Sequence, residues 1–168
     1  GGSFSIREND ALTSLTGLDN VTFIGEGLGI WGNDALASLT GLDNLTSIGG
    51  NLNIGLNAPL VSLVGLDNLT SIGGYLSLYV NDALTSLIGL EGLTSVGGFL
   101  NIYNNNTLIS LTGLDNIDAV SIDSLFINNN NSLSTCEVQS VCDYLAIPTG
   151  TIMIYGNALG CSSQTEVE

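Results

Sequence analysis

Residues 52–75 read LNIGLNAPLVSLVGLDNLTSIGGY. Apolar side chains fall two apart at Leu52 and Ile54, then three apart at Leu60, Leu63, Leu66 and Leu69. Neither the period of a helix nor sustained strand alternation accommodates both spacings. One short strand followed by a turn-rich return path does, because each turn brings another Leu to the same side. The unit recurs: Asn9, Asn33, Asn57, Asn81 and Asn105 stand 24 residues apart, each followed three residues later by Leu12, Leu36, Leu60, Leu84 and Leu108. One extra residue near Ile122 moves the next Asn to Asn130, and a shortened last unit ends at Asn157. Self-similarity at this period is the signature of a stacked-coil solenoid.

The repeat predicts seven strands, around residues 3–7, 27–31, 51–55, 75–79, 99–103, 124–128 and 151–155. Stacked at about 4.8 Å, they make one parallel sheet roughly 29 Å across. No coil can bury its own Leu face; stacking buries all of them together. The expected architecture is a β-solenoid: residues 1–131 as a repeat array that starts within a repeat, and 132–168 as a C-terminal cap carrying a last strand at 151–155. In the cap, Val138, Val141, Cys142 and Leu145 take the i, i+3, i+4, i+7 spacing of a helix over 137–145. Gly1-Gly2 align with the pairs that close a repeat, and residues 163–168 read as the start of another helix in a chain that continues.

Several ladders follow. The Asn after each strand turns the chain and can bond backbone groups of neighbouring coils. Gly17, Gly41, Gly65, Gly89 and Gly113, with the pairs Gly49-Gly50, Gly73-Gly74 and Gly97-Gly98, read as corners that need positive φ. Asp19, Asp43, Asp67, Glu91 and Asp115 form an acidic row in the GLDNL turn. Each caps its own turn through an Asx-type bond, or the row of carboxylates attracts calcium; no other cofactor is expected.

In each strand the second and fourth positions point inward, so the first, third and fifth face solvent. The chain holds four Phe, one Trp and five Tyr. Seven of these stand at outward positions: Trp31, Tyr75, Tyr79, Phe99, Tyr103, Phe126 and Tyr155, interspersed with Asn51, Asn53 and Asn101. Aromatic side chains beside amides suit sugar-face stacking or protein hot spots. Aromatics also stabilise neighbouring strands by cross-strand packing, with no ligand involved.

Composition narrows the function classes. One cation, Arg7, against 16 acids leaves a formal net charge of −15, which excludes neutralising a nucleic-acid backbone. Without His or Lys there is no imidazole acid–base chemistry, Schiff base or P-loop. No apolar run reaches the roughly 18 residues of a membrane span. Uniform coils with no insertion to build a cleft argue against an enzyme. N-x-S/T occurs at Asn20, Asn44, Asn68, Asn105 and Asn130, of use in a eukaryotic secretory pathway. Cys136 and Cys161 both sit just after an Asn turn, one coil apart, which favours their pairing and leaves Cys142 free or paired elsewhere. Cys136–Cys142 is the alternative.

The L-x-I-x-x-N-x-x-L unit joined to SLxGLxxLTSIGG resembles leucine-rich repeats of the receptor L-domain type. It is similar to arrays in secreted, surface-displayed proteins of Bacteroidetes bacteria. The resemblance implies a right-handed solenoid, an extracellular location, a fourth Cys beyond Cys161, and binding or adhesion rather than catalysis. The expected function is recognition of a glycan or a protein on the aromatic sheet face. The alternative is a structural element that self-associates by stacking coils end to end.

Overall fold

The computed structural model describes residues 2–167. Gly1 of the expected glycine pair and Glu168 of the expected final helix lie outside the described residues. The strands are β1 (Phe4–Arg7), β2 (Phe23–Ile24), β3 (Leu28–Trp31), β4 (Ser47–Ile48), β5 (Leu52–Gly55), β6 (Ser71–Ile72), β7 (Leu76–Tyr79), β8 (Ser95–Val96), β9 (Leu100–Tyr103), β10 (Leu125–Asn128) and β11 (Ile152–Tyr155). Helix α1 spans Gln139–Ala146, α2 spans Gln164–Val167, and a single 3₁₀ turn covers Ala119–Ser121. Seven parallel strands form the main sheet in the order β1-β3-β5-β7-β9-β10-β11. Equivalent repeat positions are in register, as in Leu52 opposite Leu76 and Ile54 opposite Leu78. The chain is a parallel β-solenoid, as the repeat predicts.

The three-residue Leu spacing has a direct cause. The Leu60 N–H donates to the Asn57 carbonyl (3.0 Å), Leu66 to Leu63 (3.1 Å) and Leu69 to Leu66 (2.9 Å). The return path is therefore built from i→i+3 turns, each delivering a Leu inward. In this coil Leu52, Ile54, Leu60, Leu63, Leu66 and Leu69 are all fully buried. Two-residue strands also pair along the return path, adding a second parallel sheet in the order β2-β4-β6-β8. The sequence reading expected only turns there, since two residues are too short to show alternation. The extra residue near Ile122 replaces the next strand of that sheet with the 3₁₀ turn.

The asparagine ladder binds coil to coil. Asn57 Oδ1 accepts from the Asn33 backbone N–H (3.2 Å) and Nδ2 (3.0 Å), while Asn57 Nδ2 donates to the Ile30 carbonyl (3.0 Å). Asn33, Asn57, Asn81, Asn105 and Asn130 are completely buried. Just before the ladder the chain turns through the left-handed region in every coil, at Glu8, Leu56, Val80, Asn104 and Asn129 (φ 52° to 57°) and at Gly32 and Gly156.

The five spaced glycines do hold positive φ, between 109° and 113°. The Gly-Gly pairs do not, which corrects that expectation. Gly73 and Gly97 are glycines because a Cβ there would overlap the carbonyl oxygen of Gly49 and Gly73 respectively, one coil earlier. They set the closeness of stacking and not the sense of a turn.

The cap folds over the last coils, and β11 returns to the main sheet as its seventh strand. Val138, Val141 and Leu145 of the expected face are buried, and the half-buried Cys142 is the exception, with Tyr144 and Ser140 buried in addition. Tyr144 is the anchor: its hydroxyl donates to the Asp123 carbonyl (3.0 Å) and accepts from the Gly150 N–H (3.1 Å). In α2, the Glu166 carboxylate accepts from the Ser162 and Gly160 N–H groups, each at 2.9 Å. Those bonds, led by Ser162, hold its pKa below the ordinary carboxylate value.

Cys136 and Cys161 are joined, with their Cα atoms 5.6 Å apart, and Cys142 is a free thiol. The bridge spans a sequence separation of 25. Loop-closure entropy for a loop of that size gives about 3.5 kcal/mol. Replacing both cysteines by serine should therefore lower the melting temperature by roughly 7–14 °C. A melt unchanged on reduction would contradict that value.

Candidate functional site

The main sheet turns one face inward to the Leu core and leaves the other open. Equivalent outward positions on adjacent strands lie within reach of each other, so they form three lanes running across the strands. In the first lane Tyr75 and Phe99 stack, with ring centroids 4.3 Å apart and planes 8° from parallel. In the third lane Tyr79 and Tyr103 stack at 5.4 Å and 7°. Phe126, in the middle lane, meets Phe99 edge-on at 5.9 Å and 69°. Two pairs thus turn ring faces to one another, and only the Phe99–Phe126 contact is edge-to-face.

The remaining expected residues share this face. Asn101 Nδ2 lies 3.4 Å from Ser77 Oγ, and Asn53 Nδ2 donates to the Tyr75 hydroxyl (3.2 Å). Asn51 Oδ1 accepts from the Tyr75 N–H (3.1 Å). Ser77 and Asn101, in the middle lane of β7 and β9, lie between the two aromatic stacks, with Asn51 and Asn53 beside them on the β5 side. The Tyr79 ring lies over Gly55, where a Cβ would overlap it. Trp31 stands on β3 beneath the Arg7 guanidinium, 5.3 Å from its ring centroid, which places the only cation on an aromatic face. Tyr155, on β11, is half exposed and stacks on no other ring among the described residues. Burial, with the neighbouring phenols of Tyr103 and Tyr75, pushes the Tyr79 hydroxyl above the ordinary tyrosine pKa. It is a neutral donor at physiological pH.

The other ladders are committed to the backbone. Thr46, Thr70 and Thr94 hydroxyls donate to the carbonyls of Thr22, Thr46 and Thr70 (2.9 to 3.0 Å). Asn44 and Asn68 amides donate to Asp19 and Asp43 carbonyls, and Asn105 and Asn130 are buried. Of the five N-x-S/T asparagines, four are therefore bonded to another coil or enclosed.

The acidic row also has partners. Asp19, Asp43 and Asp67 accept from the N–H groups of Gly17, Gly41 and Gly65 at 2.7 to 2.8 Å. Glu91 and Asp115 do the same with Gly89 and Gly113. The bond reaches back two residues, the reverse of the expected Asx turn, and it ties down the positive-φ glycine. Among the described residues no three His, Cys, Asp or Glu side chains gather as a metal site would need. The geometry favours turn capping, and on that reading EDTA should leave the melting temperature within about 1 °C. A fall that added calcium reverses would restore the calcium reading for Asp19, Asp43, Asp67, Glu91 and Asp115.

Two hollows escaped sequence reasoning. One, of about 400 Å³, lies between the 3₁₀ turn and α1. Val120 and Ile147 line it and remain 80% and 81% exposed. The other, of about 270 Å³, lies on the open sheet face across β1, β3 and β5. Gly27 and Gly29 are the only signal for it: two outward positions without side chains on one strand.

Among the described residues no helix is long and apolar enough to cross a membrane. No curated protein and no solved structure matches the chain. The sequence model of the Receptor L domain matches residues 46–168, covering the coils from β4 to the C-terminal cap. That family comprises non-enzymatic binding domains, typically extracellular, which bind protein ligands such as growth factors. With that match on a parallel solenoid of this geometry, the chain belongs to the Receptor L domain family.

Proposed function

We propose that this domain is a non-catalytic extracellular binding or adhesion module that engages a glycan or a protein on the aromatic face of its main sheet. The observation that carries the reading is the pair of aromatic stacks, Tyr75–Phe99 and Tyr79–Tyr103, flanking an amide and hydroxyl floor on a face that no described element covers. Cross-strand packing explains why the rings stack on one another. It does not explain their concentration on one face, where exposed apolar surface costs solubility and marks an interface. A disulfide supports an oxidising, extracellular setting. The face is nearly uncharged, so affinity there comes from apolar contact and hydrogen bonds, and it should vary little with salt.

The test is binding to an immobilised panel of oligosaccharides and recombinant extracellular proteins. The double variant Tyr79→Ala with Tyr103→Ala removes one whole stack. It should cost binding about thirtyfold or more, the size of a hot-spot loss. Full binding by a folded double variant would count against the aromatic face.

A further inference from the structure

Gly29 has no structural reason to be glycine. Its φ lies outside the left-handed region. A Cβ built there meets only ordinary contacts, the nearest being Trp31 Nε1 at 3.5 Å. Glycine inside a strand weakens it and commonly marks a site where a ligand approaches the backbone. Gly29 lines the hollow of about 270 Å³ on the sheet face.

The groups around that hollow are uncharged, polar side chains mixed with the apolar Phe4 and Leu28. Tyr75 forms a wall: Phe99 covers one of its ring faces, and the opposite face borders the hollow. The hydroxyls of Ser3 and Ser5 and the amide nitrogen of Asn51 make no hydrogen bond among the described residues. Trp31 Nε1, at the edge of Gly29, is likewise an unpartnered donor. No charged residue lines the hollow. An anion is opposed by the net charge of −15, and a cation finds no carboxylate. The volume falls just below the roughly 300–1,000 Å³ of drug-sized pockets, which suits one ring. Free hydroxyl and amide groups beside the apolar surface of Tyr75 and Phe4 match the alternating polar edge and apolar face of a neutral sugar.

We infer that the Gly27–Gly29 hollow is a subsite for one neutral pyranose unit, stacked on Tyr75 and hydrogen-bonded by Asn51, Trp31, Ser3 and Ser5. The inference rests on the sheet-face reading above and names the ligand class and the place on that face.

Trp31 is the only tryptophan, so its emission reports occupancy directly. The probes are neutral mono- and disaccharides of gluco, galacto, manno and fuco configuration, titrated into the intact chain. At least one should shift the emission saturably. Gly29→Gln, which fills the hollow, and Tyr75→Ala, which removes the wall, should each weaken it about thirtyfold. Gly29→Ala should keep or raise the melting temperature while still weakening binding, a combination that a purely structural glycine would not give. Val61→Ala, exposed on the return path and outside the main sheet, should leave affinity within about threefold.

No saturable response to any neutral sugar overturns the subsite. So does undiminished sugar binding by folded Gly29→Gln or Gly29→Ala. If a protein from the panel is released by the Tyr79→Ala, Tyr103→Ala pair and not by Gly29→Gln, the subsite falls and the sheet-face reading stands. If neither substitution affects any ligand that binds the wild type, both fall.

Discussion

Asn81→Ala should destabilise the domain by about 2–6 kcal/mol, lowering the melting temperature by roughly 4–24 °C. Asn81 sits in the middle of the ladder and is fully buried. Its Oδ1 accepts from the Asn57 backbone N–H (3.2 Å), and its Nδ2 donates to the Ile54 carbonyl (3.1 Å) and to Asn105 Oδ1 (3.2 Å). Truncation leaves the buried Asn57 N–H without its acceptor, at about 1–3 kcal/mol, and removes the two donated bonds at about 0.5–1.5 kcal/mol each. Asn9→Ala is the internal control. Asn9 is exposed, and its side chain donates to Arg7 and Asn33 without accepting from another coil. Its loss should cost less than about 1 kcal/mol. Equal costs at Asn9 and Asn81 in chemical denaturation would show that the ladder contributes no more inside than at the surface.

Asn81→Asp sharpens the test because it keeps the shape and inverts the donor. The new carboxylate would face two acceptors, the Ile54 carbonyl and Asn105 Oδ1, so burial and those oxygens raise its folded pKa. A raised folded pKa means that the stability gained by the protonated form is present below the unfolded value of about 3.9 and is lost as pH rises. The variant should therefore melt closest to wild type in acid and fall away towards neutrality. A penalty independent of pH would mean that the aspartate is solvated and the ladder locally open.

How much of this was legible depends on whether a residue's role repeats. The Leu spacing, the Asn ladder and the outward strand positions recur from coil to coil, so a single sequence shows them through self-similarity. Glu8, Gly32, Leu56, Val80, Asn104, Asn129 and Gly156 share one left-handed conformation with no shared chemistry. There the ladder bonds override local preference, and at Val80, β-branched, the backbone is held where an L-residue costs about 1–2 kcal/mol. The Gly-Gly pairs were legible as special but not for the right reason, because their cause is the coil next door. Tyr144 was missed because its partner, the Asp123 carbonyl, lies 21 residues away across the fold. In the candidate site, outward direction followed from strand alternation. That the rings pair face to face, leaving Tyr75 with one free side, depends on distances between coils that periodicity does not contain.

Gly65→Ala should be the more damaging of the two central substitutions, at more than about 5 kcal/mol, in the exceptional range for a single change. Two penalties coincide there. At φ 111° an L-residue is strained by about 1–3 kcal/mol, and the added Cβ would overlap the Leu39 carbonyl oxygen of the preceding coil. The strain is local, but relieving the overlap means separating two coils whose spacing is set by hydrogen bonds on either side, such as Thr70 N–H to the Thr46 carbonyl at 2.9 Å. Gly17→Ala separates the two penalties. Gly17 has the same conformation, φ 110°, yet a Cβ there meets nothing within 4 Å. It should carry the strain alone, about 1–3 kcal/mol. The difference between the two variants, read from urea unfolding, measures what close coil-to-coil approach demands of the sequence. If Gly65→Ala costs no more than Gly17→Ala, the glycine row is required by conformation only, and the coils can part without cooperative loss. If the difference is large, the row sets the rise of the solenoid, and with it the spacing that brings Tyr75 onto Phe99 and Tyr79 onto Tyr103.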